Sequence, residues 1–259
     1  KFKTLKKKFN YIILKNFLTK AEINKLENFL INFIYSKVYI WSKNFNLKEP
    51  IKSKINKESL YKYFCLLNKP KIFRNAYYYF YCKVIFNLIT NKKLIFIVQE
   101  LLKSKEIYFS GLFNLRYSFP NQKKIMTNWH NDIDSFASFE KNKKKIKNNK
   151  MITIWIPLTN VNKKNSSELI LKIPGKKNLI EHALLKKGDI LIFNSKLTHR
   201  SAINRRKNTR WAIDIRFEGS DFNEFYQITK KQGFSLKNFN QNKLSYKKFE
   251  NLKSEKFSR

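Results

Sequence analysis

The chain has 259 residues, 42% of them hydrophobic, and 55 Lys and Arg against 18 Asp and Glu give it a formal net charge of +37. That length suits one large domain or two small ones and permits a sizeable core, but no apolar run nears the roughly 18 residues of a membrane span. Cys65 and Cys82 are the only cysteines, so two free thiols in a reducing cytoplasm are expected rather than a disulfide scaffold; the opening residue is Lys1 rather than Met, which leaves a removed leader peptide open.

Residues 1–10 are basic, and a frayed start is expected there. Tyr11–Leu14 is a short apolar run fit for a strand. Thr19-Lys20-Ala21-Glu22 has the T-x-x-E form of a capping box, in which two side chains satisfy two orphan backbone donors at a helix start. Ile23, Leu26, Leu30, Phe33 and Ile34 follow at helical spacing, which predicts a helix over about 19–36. Residues 41–60 are polar and contain Pro50, so they read as loop or short helix. The aromatic and apolar stretches 61–67 and 77–89 read as helical. Leu94, Ile95, Val98, Leu101 and Leu102 mark a further helix at about 92–103.

The pattern changes near Ile107. Residues 107–119 are rich in Tyr, Phe and Leu and stop at Pro120, as a strand would. A polar turn at 121–124 precedes Trp129-His130-Asn131-Asp132, and the lysine-rich 139–150 segment reads as a solvated connection. Residues 151–158 form a clear strand, with Thr153 and Trp155 on one face and Ile152, Ile154 and Ile156 on the other. A strand at 169–173 meets a Pro174-Gly175 turn, and Gly188-Asp189 leads into the apolar run 190–193. In 211–217 the alternation sets Trp211, Ile213, Ile215 and Phe217 against Arg210, Ala212, Asp214 and Arg216. Many short strands with turns between them predict an antiparallel sandwich or barrel. From Ser220 the chain turns polar, and one short helix and a loose tail are expected.

The chemistry lies in this second half. The chain has three histidines, His130, His182 and His199. An isolated histidine is most often a structural or surface residue, and an H-x-D pair alone is weak. The conjunction is stronger: on an extended segment, alternation puts the imidazole of His130 and the carboxylate of Asp132 on the same side, and His199 follows a different strand-like run. Two histidines and one carboxylate can take one face of an octahedral iron, leaving three positions for a co-substrate and oxygen. Arg210 opens the next strand on its polar face. Its planar fork suits the far carboxylate of 2-oxoglutarate, although a surface salt bridge would also account for an arginine there.

The stretches WHND at 129–132, MITIWIPLTNV at 151–161 and GDILIFNSKLTHRSAINRRKNTRWAIDIRF at 188–217 resemble the phytanoyl-CoA dioxygenase family of Fe(II)/2-oxoglutarate oxygenases, as does YIILKNFLTKAEINKL at 11–26. The resemblance covers most of 11–217, and its most specific part is His199-x-Ser201 followed by Arg210-Trp211. It implies a mainly β core in an α+β chain: a double-stranded β-helix, or cupin-like jelly roll, with flanking N-terminal helices. The single domain would span 1–259, with a largely helical flank at 11–105, the jelly-roll core at 106–218 and a C-terminal helix and tail at 219–259. It implies Fe(II) held by His130, Asp132 and His199, 2-oxoglutarate held by Arg210 and Ser201, and Trp155 and Asn131 lining the co-substrate pocket. Arg116 stands where relatives often place a residue facing the substrate. With Asp132 present, hydroxylation using molecular oxygen is implied rather than halogenation, which goes with loss of that carboxylate. Around Ser166-Ser167-Glu168-Leu169 and Pro174-Gly175-Lys176-Lys177 the chain departs from the family's usual turns, and those positions bear on the substrate more than on the metal.

The implied partner is a small-molecule substrate. Lys, Asn, Ile, Phe and Tyr have A/T-rich codons, and Gly and Pro number only 5 each, so codon bias accounts for much of the charge. The lysines are scattered rather than gathered in a stripe with interleaved aromatics, which argues against nucleic acid. The scarcity of acidic residues keeps a preference for anionic ligands open. Two alternatives stand beside the hydroxylase: an oxidative demethylase acting on nucleic acid, and a catalytically silent jelly-roll binding protein.

Overall fold

The computed structural model describes residues 10–44, 81–118, 127–137, 151–163, 168–176, 179–219, 234–236 and 245–252. The readings for 61–67, 139–150, the 121–124 turn and most of the C-terminal tail lie outside these residues.

Among the described residues, nine strands run in chain order as β1 (Tyr11–Leu14), β2 (Ile107–Ser118), β3 (Met151–Pro157), β4 (Leu169–Lys172), β5 (Ile180–Ala183), β6 (Ile190–Asn194), β7 (His199–Ser201), β8 (Arg210–Gly219) and β9 (Phe234–Ser235). Five helices are described: α1 (Lys20–Asn44), α2 (Lys83–Ile89), α3 (Lys92–Leu102), α4 (Asp132–Ala137) and α5 (Tyr246–Asn251). The strands form a six-stranded sheet in the order β1-β6-β3-β8-β2-β9 and a three-stranded sheet in the order β5-β4-β7. All pairings are antiparallel. From β3 onward the chain passes back and forth between the two sheets, which is the winding of a double-stranded β-helix.

Period-two alternation decides which side chains meet which layer. On β3 and β8, Ile152, Ile154, Ile156, Trp211, Ile213, Ile215 and Phe217 face outward. They join Ile85, Ile89, Leu94, Val98 and Phe249 of the helices in one hydrophobic cluster. Trp155, Leu191, Phe193 and Ala212 face inward against Leu169, Leu171 and Ala183 of the small sheet. The large sheet is thus covered by helices on one face and by the small sheet on the other, so every residue of β8 is buried. Gly111, at φ +70°, sits in the register shift of β2 between Phe109 and Phe113, where two extra residues against β8 call for the left-handed region.

The capping box forms at the start of α1. The Thr19 N–H donates to Glu22 Oε2 at 2.8 Å, and the Glu22 N–H donates to Thr19 Oγ1 at 3.2 Å. The helix runs on past 36 to Asn44 because neither Gly nor Pro interrupts the sequence before Pro50, so 41–44 are its last turn rather than a loop. Asn91 caps α3, its side chain accepting from the Leu94 N–H at 3.1 Å. In the 77–89 stretch the described helix begins only at Lys83. Cys82 is a thiol just ahead of it. Strands β5 and β9 were not expected: one is four residues long with an exposed Ile180, the other two residues long, and neither shows a periodic pattern. Among the described residues no helix is long and apolar enough to cross a membrane.

Candidate active site

His130, Asp132 and His199 converge, each offering one ligand atom within 4.8 Å of the others. His199 lies on β7 with its side chain turned inward. His130 reaches it through a two-residue bridge: the His130 N–H donates to His199 O at 3.0 Å and the His199 N–H to His130 O at 2.8 Å. The two rings stand 4.3 Å apart between centroids. Asp132 is not on the same extended segment. It opens α4, and its N–H is anchored on Ser195 O at 2.9 Å. The helix starts there because Asn131 caps it, accepting from the Asp134 N–H at 2.7 Å and donating to Asp134 Oδ2 at 2.6 Å.

The histidine tautomers follow from their backbone partners. His130 Nδ1 lies 2.8 Å from Asn128 O, and His199 Nδ1 lies 3.0 Å from Leu197 O. A carbonyl can only accept, so both Nδ1 atoms carry hydrogen, and in the neutral rings each Nε2 keeps a lone pair. Burial holds His199 below the ordinary imidazole range against the pull of Asp132, which keeps that ring neutral. His130 Nε2 faces Asp132 Oδ1 at 3.9 Å. The carboxylate is 2% exposed and fully engaged on its far side. Arg216 donates Nε to Oδ2 at 3.2 Å and Nη2 to Oδ1 at 3.2 Å, and Thr153 donates its hydroxyl to Oδ2. Burial works to raise the Asp132 pKa, but Arg216, His199 and Thr153 together hold it well below the usual carboxylate range.

The charge chain continues outward. Arg216 Nη1 donates to Asp214 Oδ1 at 3.0 Å, and Asp214 accepts from Arg116 Nε at 2.6 Å and from Asn114 Nδ2 at 2.8 Å. Arg116 therefore lines the same cavity as the cluster, partly exposed. Thr127, Thr153, Trp155, Ser201, Arg210, Asp214 and Arg216 line it too. Asn131 does not: its amide is spent on the cap of α4. Ser201 Oγ is 2.7 Å from Thr127 Oγ1.

Arg210 is the unusual member. It is 1% exposed, rests over the Trp155 ring at 5.6 Å, and its Nε and Nη1 have no hydrogen-bond partner. Burial, reinforced by the like charge of Arg116, brings it down to about 10, still a cation at neutral pH. The Trp155 Nε1 donor in the same cavity is also without a partner. Buried donors in this state call for an acceptor that the folded chain does not supply. Two imidazole lone pairs and one carboxylate oxygen fit a divalent iron, and an unpaired guanidinium in the same cavity fits a carboxylate.

Sequence reading missed Arg216, Thr153, Asp214 and Thr127. For three of them a signal existed: Asp214 and Arg216 share the polar face of β8 with Arg210, and Thr153 shares a face with Trp155. Thr127 offered none. His182 is outside the cluster, paired through Nδ1 with Glu168 Oε1 at 2.6 Å.

No family model matches the sequence, and no curated protein matches it. Solved structures do. EctD from S. alaskensis with bound Fe has a TM-score of 0.57 at 15% identity, covering 83% of this chain and 74% of that one. The non-heme alpha ketoglutarate dependent carbocyclase SnoK from nogalamycin biosynthesis has 0.52 at 10% identity, covering 85% and 83%. The non-heme monooxygenase ThoJ, as its Ni complex, has 0.50 at 14% identity, covering 82% and 74%. The fold of this chain is therefore the jelly roll found in non-haem iron, 2-oxoglutarate-dependent enzymes.

Proposed function

We propose that this protein is an Fe(II)- and 2-oxoglutarate-dependent dioxygenase of the phytanoyl-CoA dioxygenase type, a single domain over 1–259, that hydroxylates a C–H bond of a small, anionic metabolite. The observation that carries the reading is the buried Arg210 guanidinium, two of its nitrogens unpaired, lining the same cavity as His130, Asp132 and His199. Such a pairing of a three-ligand face with a carboxylate receptor is what a chelating keto acid with a second carboxylate requires. EctD, of the same fold, has been solved with 2-oxoglutarate and 5-hydroxyectoine.

In this reading His130 and His199 hold the metal through Nε2 and Asp132 through Oδ1. Fe(II), with 2-oxoglutarate and dioxygen, supplies an oxidation in which one oxygen atom enters the substrate C–H bond and the other enters succinate as carbon dioxide leaves. The chain's own contributions are positional. The Nδ1–H bonds to Asn128 O and Leu197 O fix both imidazoles. Arg216 and Thr153 hold the Asp132 carboxylate in one orientation. Arg210 binds the distal carboxylate of 2-oxoglutarate, with Ser201 and the Trp155 indole beside it. Trp155, Leu169 and Phe193 keep this end of the cavity apolar and exclude water. Arg116, steadied by Asp214 and partly exposed, is placed to meet an anionic group on the substrate. The presence of Asp132 favours hydroxylation over halogenation.

The test is succinate release from 2-oxoglutarate with Fe(II) in air, with and without a panel of small anions. His130→Ala should abolish it while the protein stays folded. Iron-dependent turnover that persists in that variant would sink the reading.

A further inference from the structure

The small sheet has a second face. Ile170 on β4 is in register with His182 on β5 and with Arg200 on β7. By alternation these three point away from the cavity that His199 and Ser201 face. They line a second pocket of about 300 Å³, together with Glu168, Lys163 and Arg205 and with Ser201, which it shares with the inner cavity. That volume is at the lower end for small-molecule sites.

Two polar groups in this pocket lack partners. Glu168 is 2% exposed; its Oε1 is held by His182, while Oε2 is buried with no hydrogen-bond partner. Arg200 rests its guanidinium over the Trp129 ring at 4.9 Å, and its Nε is likewise buried and unpartnered. The two do not bond each other. One orphan is an acceptor bearing negative charge, and the other is a donor bearing positive charge. A simple anion would satisfy Arg200 but oppose Glu168, and a simple cation would do the reverse. A ligand that satisfies both carries an ammonium and a carboxylate. Lys163 and Arg205 add two further cations to the lining, which suits an additional acidic group on the same molecule.

We infer that the outer pocket of the small sheet is a binding site for an amino-acid zwitterion, with its ammonium on Glu168 Oε2, its carboxylate on Arg200, and an acidic side chain toward Lys163 and Arg205. Arg200 sits between His199 and Ser201 on a three-residue strand, so the ligand binds to the back of the strand that carries two of the inner-cavity residues. The pocket adjoins the inner cavity, since Ser201 lines both and the Glu168 carboxylate acts electrostatically on Arg210, but its two orphan groups stand whatever the inner cavity binds.

Calorimetric titration of the whole chain tests it with three probes: L-glutamate, glutarate, which lacks the ammonium, and putrescine, which lacks the carboxylates. L-Glutamate should bind, and the other two should bind at least tenfold more weakly. Mn(II) and 2-oxoglutarate at saturation should not displace it, since they belong to the inner cavity. Glu168→Gln should abolish the preference for glutamate over glutarate, and Arg200→Gln should weaken glutamate at least tenfold. Should either buried-site variant melt early by circular dichroism, the exposed Arg205→Gln serves in its place, with a severalfold loss expected for glutamate. Equal binding of glutarate and glutamate, displacement by 2-oxoglutarate, or no binding of glutamate would each overturn the assignment.

Discussion

Arg216 grips Asp132 with two parallel donors, Nε to Oδ2 at 3.2 Å and Nη2 to Oδ1 at 3.2 Å, and spends its third nitrogen on Asp214 at 3.0 Å. All three side chains are buried. Removing one member of such a network strands the others without compensation, which costs about 3–5 kcal/mol. Arg216→Met should therefore lower the unfolding free energy by about that much in urea. Arg216→Lys keeps the charge but loses the planar fork. It should fold, yet bind Mn(II) about 10–100-fold more weakly, as losses of groups that orient a metal ligand do. A Lys variant with unchanged Mn(II) affinity would show that Arg216 supports the fold and not the ligand.

Arg210 should behave in the opposite way. Its guanidinium is buried with Nε and Nη1 lacking hydrogen-bond partners, so the protein without co-substrate carries a desolvation cost that the Trp155 ring and the carboxylates of Asp214 and Glu168 offset only in part. Arg210→Met should leave that form more stable by about 1 kcal/mol in urea unfolding. The same substitution should weaken 2-oxoglutarate by about 10–100-fold, since hydrogen bonds to charged groups contribute about 1.5–3 kcal/mol. Mn(II) binding in the absence of 2-oxoglutarate should not change. Loss of stability in Arg210→Met would mean that the guanidinium already has a structural role.

The contrast between these arginines shows how far the sequence could be read. Alternation along β8 put Arg210, Asp214 and Arg216 on one face and Trp211, Ile213, Ile215 and Phe217 on the other, and the two hydrophobic clusters divide along that line. The capping box at Thr19 and Glu22 was equally legible, because capping is local. The H-x-D spacing misled about conformation. Asn131 can bond its own backbone three residues on, and that competes with an extended strand. Asp132 thus arrives at His130 from a helix start, a geometry that period-two reasoning cannot give. The grip of Arg216 on Asp132 joins residues 84 apart in sequence, and nothing local encodes which of the two polar-face arginines stays unpaired.

Gly188 fixes where the helical flank meets the jelly roll. Its φ is +97°, and its carbonyl accepts from the Leu18 N–H at 2.9 Å. A Cβ there would lie 3.1 Å from Ile23 Cδ1 and 3.1 Å from Leu18 O. The side-chain contact can relax; the backbone contact and the positive φ cannot. Gly188→Ala should cost about 1–3 kcal/mol in chemical unfolding. Metal affinity of the folded protein should be unchanged, because the strain falls at the start of α1. A neutral result would mean that the turn is free to rearrange.

Next to it, Asp189 ties the same junction by charge. Its carboxylate is buried and accepts from the Asn16 N–H at 2.8 Å, the Lys186 N–H at 2.8 Å and Lys15 Nζ at 3.2 Å. Burial works to raise its pKa, but the two backbone donors and then Lys15 outweigh it and hold the group below the ordinary value. A carboxyl whose folded pKa is depressed contributes stability that is fully present above the unfolded value of about 3.9 and is lost as pH falls from there through the folded value. The unfolding free energy should therefore decline below about pH 4, with this residue supplying part of the slope. Asp189→Asn removes that titration and turns one acceptor into a donor facing an N–H, costing about 2 kcal/mol at neutral pH. The gap between wild type and Asp189→Asn should then narrow as pH falls below about 4, whereas a gap that stays constant there would show that the Asp189 pKa is not depressed by folding.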